Sequence, residues 1–161
     1  SVSGLCGASA DVENYELQPG ELGLRLPDVL FGQETYGRAL IARPGSNQSQ
    51  ENTGDLSVWN YLEVMSAIPR IVLATQEQFV PQMINFESVA GIDFKKGCYP
   101  GQEIVARSQY RGAIKRRLQL AHLSDPSSDS GNINPGVELF HSSDATQPAG
   151  MVVLSAQSPF K

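Results

Sequence analysis

The segment KKGCYPGQEIVARSQYRG, Lys95 to Gly112, predicts a tight turn followed by a short helix. Pro100 fixes φ at the second position of a type II turn, and Gly101 supplies the positive φ that the third position requires. The turn delivers the chain into QEIVARSQY, which has the length of about two helical turns. Gly112 follows at a position where helices commonly end. We therefore expect the segment to form a turn followed directly by a helix.

One of the two cysteines of the chain, Cys98, lies directly before this turn. The positive end of a helix dipole and the ammonium groups of Lys95 and Lys96 would both favour the thiolate form. The same helix amides and lysines would also attract an anion such as a carboxylate or a phosphate. A lone cysteine is more often an inert, buried side chain. Both interpretations of Cys98 stay open at this point.

Most of the basic residues of the chain lie close to the turn. Seven Lys or Arg residues stand against one acidic residue, Glu103, between positions 95 and 117: they are 95, 96, 107, 111, 115, 116 and 117. Arg107 and Arg111 are four apart and share one face of the predicted helix. This run predicts either a weak anion site or an ordinary solvated surface. The net charge of −5 argues against bulk attraction to nucleic acid or membranes.

The flanking sequence predicts an α+β protein. Upstream, YGRALIARPG (36–45) reads as a strand, and a helix begins at Asp55 or Ser57 and runs to Pro69. Downstream, three further strands are predicted at KRRLQLAHL (115–123), VELFH (137–141) and AGMVVLSA (149–156). We place a domain boundary between a mixed part, 1–113, and an all-β part, 114–161. Because three strands with open edges make a poor independent unit, we expect the chain to be a piece of a longer protein.

Several classes of protein are disfavoured by composition. No apolar run reaches the roughly 20 residues of a membrane span, and the first ten residues lack the features of a signal peptide. Cys6 and Cys98 are far apart and form no C-x-x-C pair. This spacing argues against a zinc site or a disulfide framework and suits a reducing compartment. No stably bound metal is expected.

The string K-G-C-Y-x-G-Q-E, at positions 96–103, resembles the signature of the YgfZ family. These are folate-binding proteins that maintain iron–sulfur enzymes and are related to the glycine-cleavage T-protein. The match extends downstream through Arg107, Tyr110, Arg111 and Gly112. Upstream it includes FVPQMINFESVAGIDFK (79–95) and VWNYLEVMSAIPRI (58–71). The resemblance is close over roughly 57–120.

The resemblance implies a ferredoxin-like α/β portion followed by the first strands of a C-terminal antiparallel β-barrel, arranged around a folate pocket. Two departures are noted: the amino-terminal wall of that pocket is missing, and the loop 46–55 replaces a longer helical stretch. The implied site has Cys98 as its key thiol. With location as the guide, the implied tetrahydrofolate contacts are Asn85, Lys95, Lys96, Gln102, Glu103, Arg107 and Arg111.

The implied function is that of an accessory protein that binds tetrahydrofolate and supports the assembly or repair of iron–sulfur enzymes, including tRNA-modifying ones. Its partners would be these client enzymes or cluster-assembly proteins, in the cytoplasm of bacteria or in mitochondria. A folate-dependent aminomethyl or methyl transferase is the first alternative, although no suitable general base is present. A nucleic-acid-binding module that uses the basic run 95–117 is the second.

Overall fold

The computed structural model describes residues 1–45, 54–112, 114–123 and 133–160. It divides into two compact units, one formed by Ser1–Ser66 together with Ala156–Lys161 and the other by Ala67–Ser155. Each unit combines helix with strand, so the predicted α+β class is confirmed in its coarse form. The division into domains at 113/114 stays a prediction.

The first unit is built on a three-stranded antiparallel sheet. Its strands are β1 (Val2–Ala8), β2 (Leu22–Phe31) and β3 (Glu34–Ala42), in the order β1-β3-β2. Side chains alternate between the two faces of a strand, and Ala39 and Ile41 of β3 therefore point to the same side. There they form a small core with Val12 of the short helix α1, Ser9–Glu13. The strand predicted at 36–45 is confirmed.

Helix α2, Leu56–Met65, also belongs to the first unit. The carboxylate of Asp55 accepts a hydrogen bond from the backbone N–H of Ser57 at 2.8 Å, which satisfies one of the free donors at the helix start. Trp59 lies against Gly4 of β1, where an added Cβ would stand only 2.9 Å from the indole ring. The predicted helix and its Asp55 cap are confirmed, although the helix ends at Met65, before Pro69 is reached.

The second unit contains helix α3, Gln102–Tyr110, and two 3₁₀ helices, Leu73–Thr75 and Pro81–Ile84. It also holds the hairpin of β4 (Glu138–His141) and β5 (Asp144–Met151). The strand predicted at 137–141 is confirmed. The one predicted at 149–156 is displaced, because the tight turn at positions 142–143 places Asp144 opposite His141 and pairing begins there.

The strand predicted at 115–123 is wrong. Residues 114–123 join no sheet in the part of the chain that the structure describes. Side chains hold this segment instead: Asn85 donates its amide to the carbonyl oxygen of Leu118 at 2.9 Å, and Arg117 donates to the carbonyl oxygen of Gln82 at 3.0 Å. An alternating pattern becomes a strand only where a neighbouring strand supplies the ladder.

The described residues form two small antiparallel sheets and no closed barrel. The ferredoxin-like portion and the C-terminal barrel implied by the resemblance therefore stay predictions. Among the described helices, none combines the length and the apolar character that crossing a bilayer requires.

Candidate functional site

The turn before α3 has the geometry that the sequence predicts. Gly101 has φ +83° and ψ −2°, the values of the third position of a type II turn, and the N–H of Gln102 donates to the carbonyl oxygen of Tyr99 at 3.3 Å. The side-chain oxygen of Gln102 accepts from the N–H of Tyr99, also at 3.3 Å. Lys96 places its ammonium 4.4 Å from the ring centroid of Tyr99. Gln102 and Lys96 thus both contact Tyr99, the neighbour of Cys98.

Cys98 is exposed and stands three residues before Gly101, the residue at the helix N-cap. The interpretation of Cys98 as a buried filler is therefore wrong. Cys6 is half-buried by contrast; burial raises the pKa of its thiol, and the nearby Arg38 guanidinium partly opposes that rise. Of the two cysteines, Cys98 is the more exposed. Among the residues described, no group of three His, Cys, Asp or Glu side chains is placed to hold a metal ion.

Asn85 ends the 3₁₀ helix Pro81–Ile84 in a left-handed conformation, with φ +55° and ψ +31°. Asparagine tolerates this region better than most residues. Its side-chain amide is already used, because it donates to the carbonyl oxygen of Leu118. Through this hydrogen bond, the side chain of Asn85 positions the segment that follows α3.

Gln82 was not among the site residues predicted from the sequence. It is fully buried, and its Nε2 donates to the carbonyl oxygen of Val105 in α3 at 2.7 Å. This bond fixes which end of the amide is nitrogen, since a carbonyl can only accept. The other end, Oε1, is buried without a hydrogen-bond partner. The signal in the sequence was a glutamine inside the apolar run VPQMI (80–84). A polar side chain that is buried in such a run is expected to have a hydrogen-bond partner.

A cleft of about 320 Å³ lies beside Gln82. Its walls are partly apolar, from Val80, Met83 and Ile114, and two cations, Lys115 and Arg116, stand among its lining residues. The full lining is Val80, Gln82, Met83, Ser108, Gly112, Ile114, Lys115 and Arg116. Apolar walls with a few placed polar groups are the usual make-up of a small-molecule site. This cleft suits a flat ligand that carries negative charge.

The residues predicted from the sequence as folate contacts do not line this cleft. Glu103 and Arg107 are exposed along α3, whose buried residue is Val105, and Arg111 is exposed at its C-cap. Lys95 and Lys96 are exposed in the loop before the turn. None of the seven predicted folate contacts is among the lining residues. Their roles as folate contacts stay predictions.

Comparison with known proteins gives several relatives that carry the same name. The chain is 41% identical over 151 residues to the "tRNA-modifying protein YgfZ" of Vibrio atlanticus, which covers 86% of the chain and 44% of that relative. It is 35% identical over 121 residues to the protein of the same name from Serratia proteamaculans, covering 73% of the chain and 37% of that relative. The protein of that name from Photobacterium profundum is 50% identical over 66 residues, 41% of the chain and 20% of the relative.

The chain thus spans less than half the length of these curated relatives. No family model matches the sequence, and no solved structure matches it.

Proposed function

We propose that this chain, which is related to the YgfZ proteins along 86% of its length, binds tetrahydrofolate as part of an accessory protein. That protein would support the assembly or repair of iron–sulfur enzymes, including tRNA-modifying ones. Two facts support the proposal: its relatives bear the name tRNA-modifying protein, and the turn that directly follows Cys98 is formed. The cleft beside Gln82 supplies the structural argument for folate.

The cleft beside Gln82, which combines apolar walls with the cations Lys115 and Arg116, is the observation that carries the folate proposal. The pterin ring of a folate is flat and carries N–H donors, and its glutamate tail carries carboxylates. The apolar side chains of Val80, Met83 and Ile114 can pack against the ring, while Lys115 and Arg116 attract the tail. The residues present therefore fit the ligand. When bound, tetrahydrofolate supplies a carrier for one-carbon units.

Cys98 completes the proposed site as an exposed thiol. A thiolate is both a nucleophile and a soft metal ligand. One thiolate does not hold an iron–sulfur cluster, since clusters usually have four ligands. In the proposed role, Cys98 therefore acts together with ligands or thiols from a client enzyme or a cluster-assembly protein.

Titration of the purified protein with tetrahydrofolate tests the binding step. We expect saturable binding that the double substitution Lys115→Gln, Arg116→Gln weakens more for polyglutamylated than for monoglutamylated folate. Both side chains are exposed, so the fold should tolerate the change. The double substitution Arg107→Gln, Arg111→Gln is the matched comparison. If it alone weakens binding, folate contacts the residues predicted from the sequence and the cleft assignment is wrong. If wild-type protein does not bind, the folate proposal is wrong.

A complementation experiment tests the role of Cys98. Cells that depend on this protein should lose activity of their iron–sulfur enzymes when Cys98→Ser replaces the wild type. Cys6→Ser serves as the control, since Cys6 is half-buried in the other unit. Equal enzyme activities in cells that carry wild type and Cys98→Ser would contradict the proposed role of the thiol.

A further inference from the structure

Helix α3 presents an exposed face of two arginines and one tyrosine. Tyr110 lies three residues after Arg107, and Arg111, the C-cap residue, lies four residues after it, whereas Val105 is buried in the unit. Tyr110 is 73% exposed, although a tyrosine ring usually buries much of its apolar area. A large exposed aromatic ring close in sequence to two arginines is a feature that the folate cleft does not explain.

The loop before the turn joins this face through a ring contact. Phe94 and Tyr110 meet edge to face, with ring centroids 6.5 Å apart and planes at 68°. Phe94 is itself 42% exposed. This contact fixes the start of the loop beside the end of α3, and the exposed Lys95 and Lys96 follow Phe94 directly. We call these six residues the α3 basic–aromatic surface: Phe94, Lys95, Lys96, Arg107, Tyr110 and Arg111.

The charge of this surface is unbalanced. In the described part of the chain, no ion pair involves any of its four cations. Glu103 is the single acidic residue between positions 95 and 117, whereas the chain as a whole carries a net charge of −5. A local excess of positive charge on an otherwise acidic protein directs a polyanion to this surface, because the rest of the molecule repels the polyanion.

We propose that the α3 basic–aromatic surface binds single-stranded nucleic acid. Arg107, Arg111 and the two lysines would contact phosphates, and an unpaired base would stack on the exposed ring of Tyr110. Cationic grooves interleaved with exposed aromatic rings bind single strands in this way, with little dependence on sequence. An acidic peptide would match the charges but offers no flat ring for Tyr110. This inference goes beyond the folate proposal and stands without it.

The test is a titration of the purified protein into a fluorescein-labelled single strand of about 12 nucleotides, followed by anisotropy. Parallel titrations use RNA and DNA of one sequence, an RNA duplex and poly-glutamate. Four phosphate contacts predict a slope of about −3 for log K against log salt, or about 50-fold weaker binding at 200 mM than at 50 mM salt. A higher affinity for RNA than for DNA would indicate additional contacts to the 2′-hydroxyl groups, and equal affinities would indicate that no such contacts form. Either result supports the proposal.

Substitutions locate the surface. Arg107→Gln with Arg111→Gln should reduce the salt slope by about 1.4, while Arg107→Lys with Arg111→Lys should keep it. Tyr110→Ala should weaken binding at least about 5-fold through lost stacking, and Tyr110→Phe should restore it. A slope that none of these substitutions changes would overturn the proposal. So would equal affinity for the duplex or for poly-glutamate, or displacement of the strand by tetrahydrofolate, which would instead show that these residues bind folate.

Discussion

Gln82 donates its side-chain amide to the carbonyl oxygen of Val105 at 2.7 Å and thereby ties the 3₁₀ helix Pro81–Ile84 to helix α3. The carbonyl oxygen of Gln82 in turn accepts from the guanidinium of Arg117 at 3.0 Å. Three separate segments of the second unit therefore meet at one buried glutamine. The wall of the candidate folate cleft depends on this junction, since Gln82 also lines the cleft.

The substitution Gln82→Glu should destabilise the protein by about 3 kcal/mol at pH 7, because a buried carboxylate faces a carbonyl oxygen and the donor is lost. Burial would raise the pKa of the introduced carboxyl above its unfolded value. Stability should therefore recover as pH falls, since the protonated group can donate to Val105 again. Urea unfolding between pH 7 and pH 5 measures both effects. Gln109→Glu, on the exposed side of α3, is the matched control and should change stability little at either pH.

The ion pair of Arg38 and Glu63 in the first unit predicts that replacing one partner and replacing the other have different effects on the free energy of unfolding. Arg38 is fully buried, its Nη1 lies 2.7 Å from Glu63 Oε1, and its Nε and Nη2 have no hydrogen-bond partner. Burial lowers the pKa of Arg38, and the Glu63 carboxylate opposes this shift. Glu63→Gln leaves a buried cation without its counter-charge and should cost about 3 kcal/mol or more.

Arg38→Met should be close to neutral or stabilising, because it removes the desolvated charge while it keeps most of the volume. Urea unfolding of the two variants gives both free energies. If Arg38→Met destabilised the protein as much as Glu63→Gln does, the pair would be a net source of stability and this account of it would be wrong.

Local signals made part of the structure predictable from the sequence. The carboxylate of Asp55 and the Pro100–Gly101 pair act on neighbouring residues alone, so the start of α2 and the turn before α3 were predicted correctly. Residues 115–123 carry an equally clear alternating pattern, yet their structure depends on bonds to Gln82 and Asn85, some 30 residues away. The candidate cleft was missed for the same reason: its residues come together only through such long-range contacts.

A substitution at Gly101 tests how much the turn that follows Cys98 contributes to stability. Its φ of +83° suits glycine, and nothing lies within 4 Å of an added Cβ, so Gly101→Ala should lose stability through backbone strain alone, by about 1 kcal/mol. Gly97→Ala is the matched control, since Gly97 also has open space around it but no positive φ. Thermal unfolding of the two variants should separate them. Equal melting temperatures would show that the type II turn does not constrain the fold.

The hydrogen bonds that Glu21 accepts predict that the first unit loses stability in acid. The N–H of Gln18 and the guanidinium of Arg43 both donate to this carboxylate and lower its pKa below the ordinary value. Since the folded-state pKa is depressed, the stabilisation is present above the unfolded pKa of about 4.3 and disappears as pH falls through the folded value. Glu21→Gln should therefore be less stable than wild type at pH 7, and the difference should close near pH 3.

The exposed Glu13 at the end of α1 is the control for this measurement. Unfolding of wild type, Glu21→Gln and Glu13→Gln is compared over pH 7 to 3. A gap between wild type and Glu21→Gln that stays constant over that range would mean that packing, and not the charge of Glu21, accounts for its contribution.

The two cysteines should differ in their reaction with a thiol reagent. Cys98 is exposed, whereas Cys6 is half-buried beside Arg38 in the sheet and burial raises the pKa of its thiol. Because the thiolate is the reacting form and must also be reached, iodoacetamide should label Cys98 first in the native protein. Mass spectrometry of peptides after timed labelling measures both rates. In urea the rates should converge, which separates the effect of burial from that of neighbouring sequence. Faster native labelling of Cys6 would contradict the placement of Cys98 at the surface and remove the basis for its proposed contact with partner proteins.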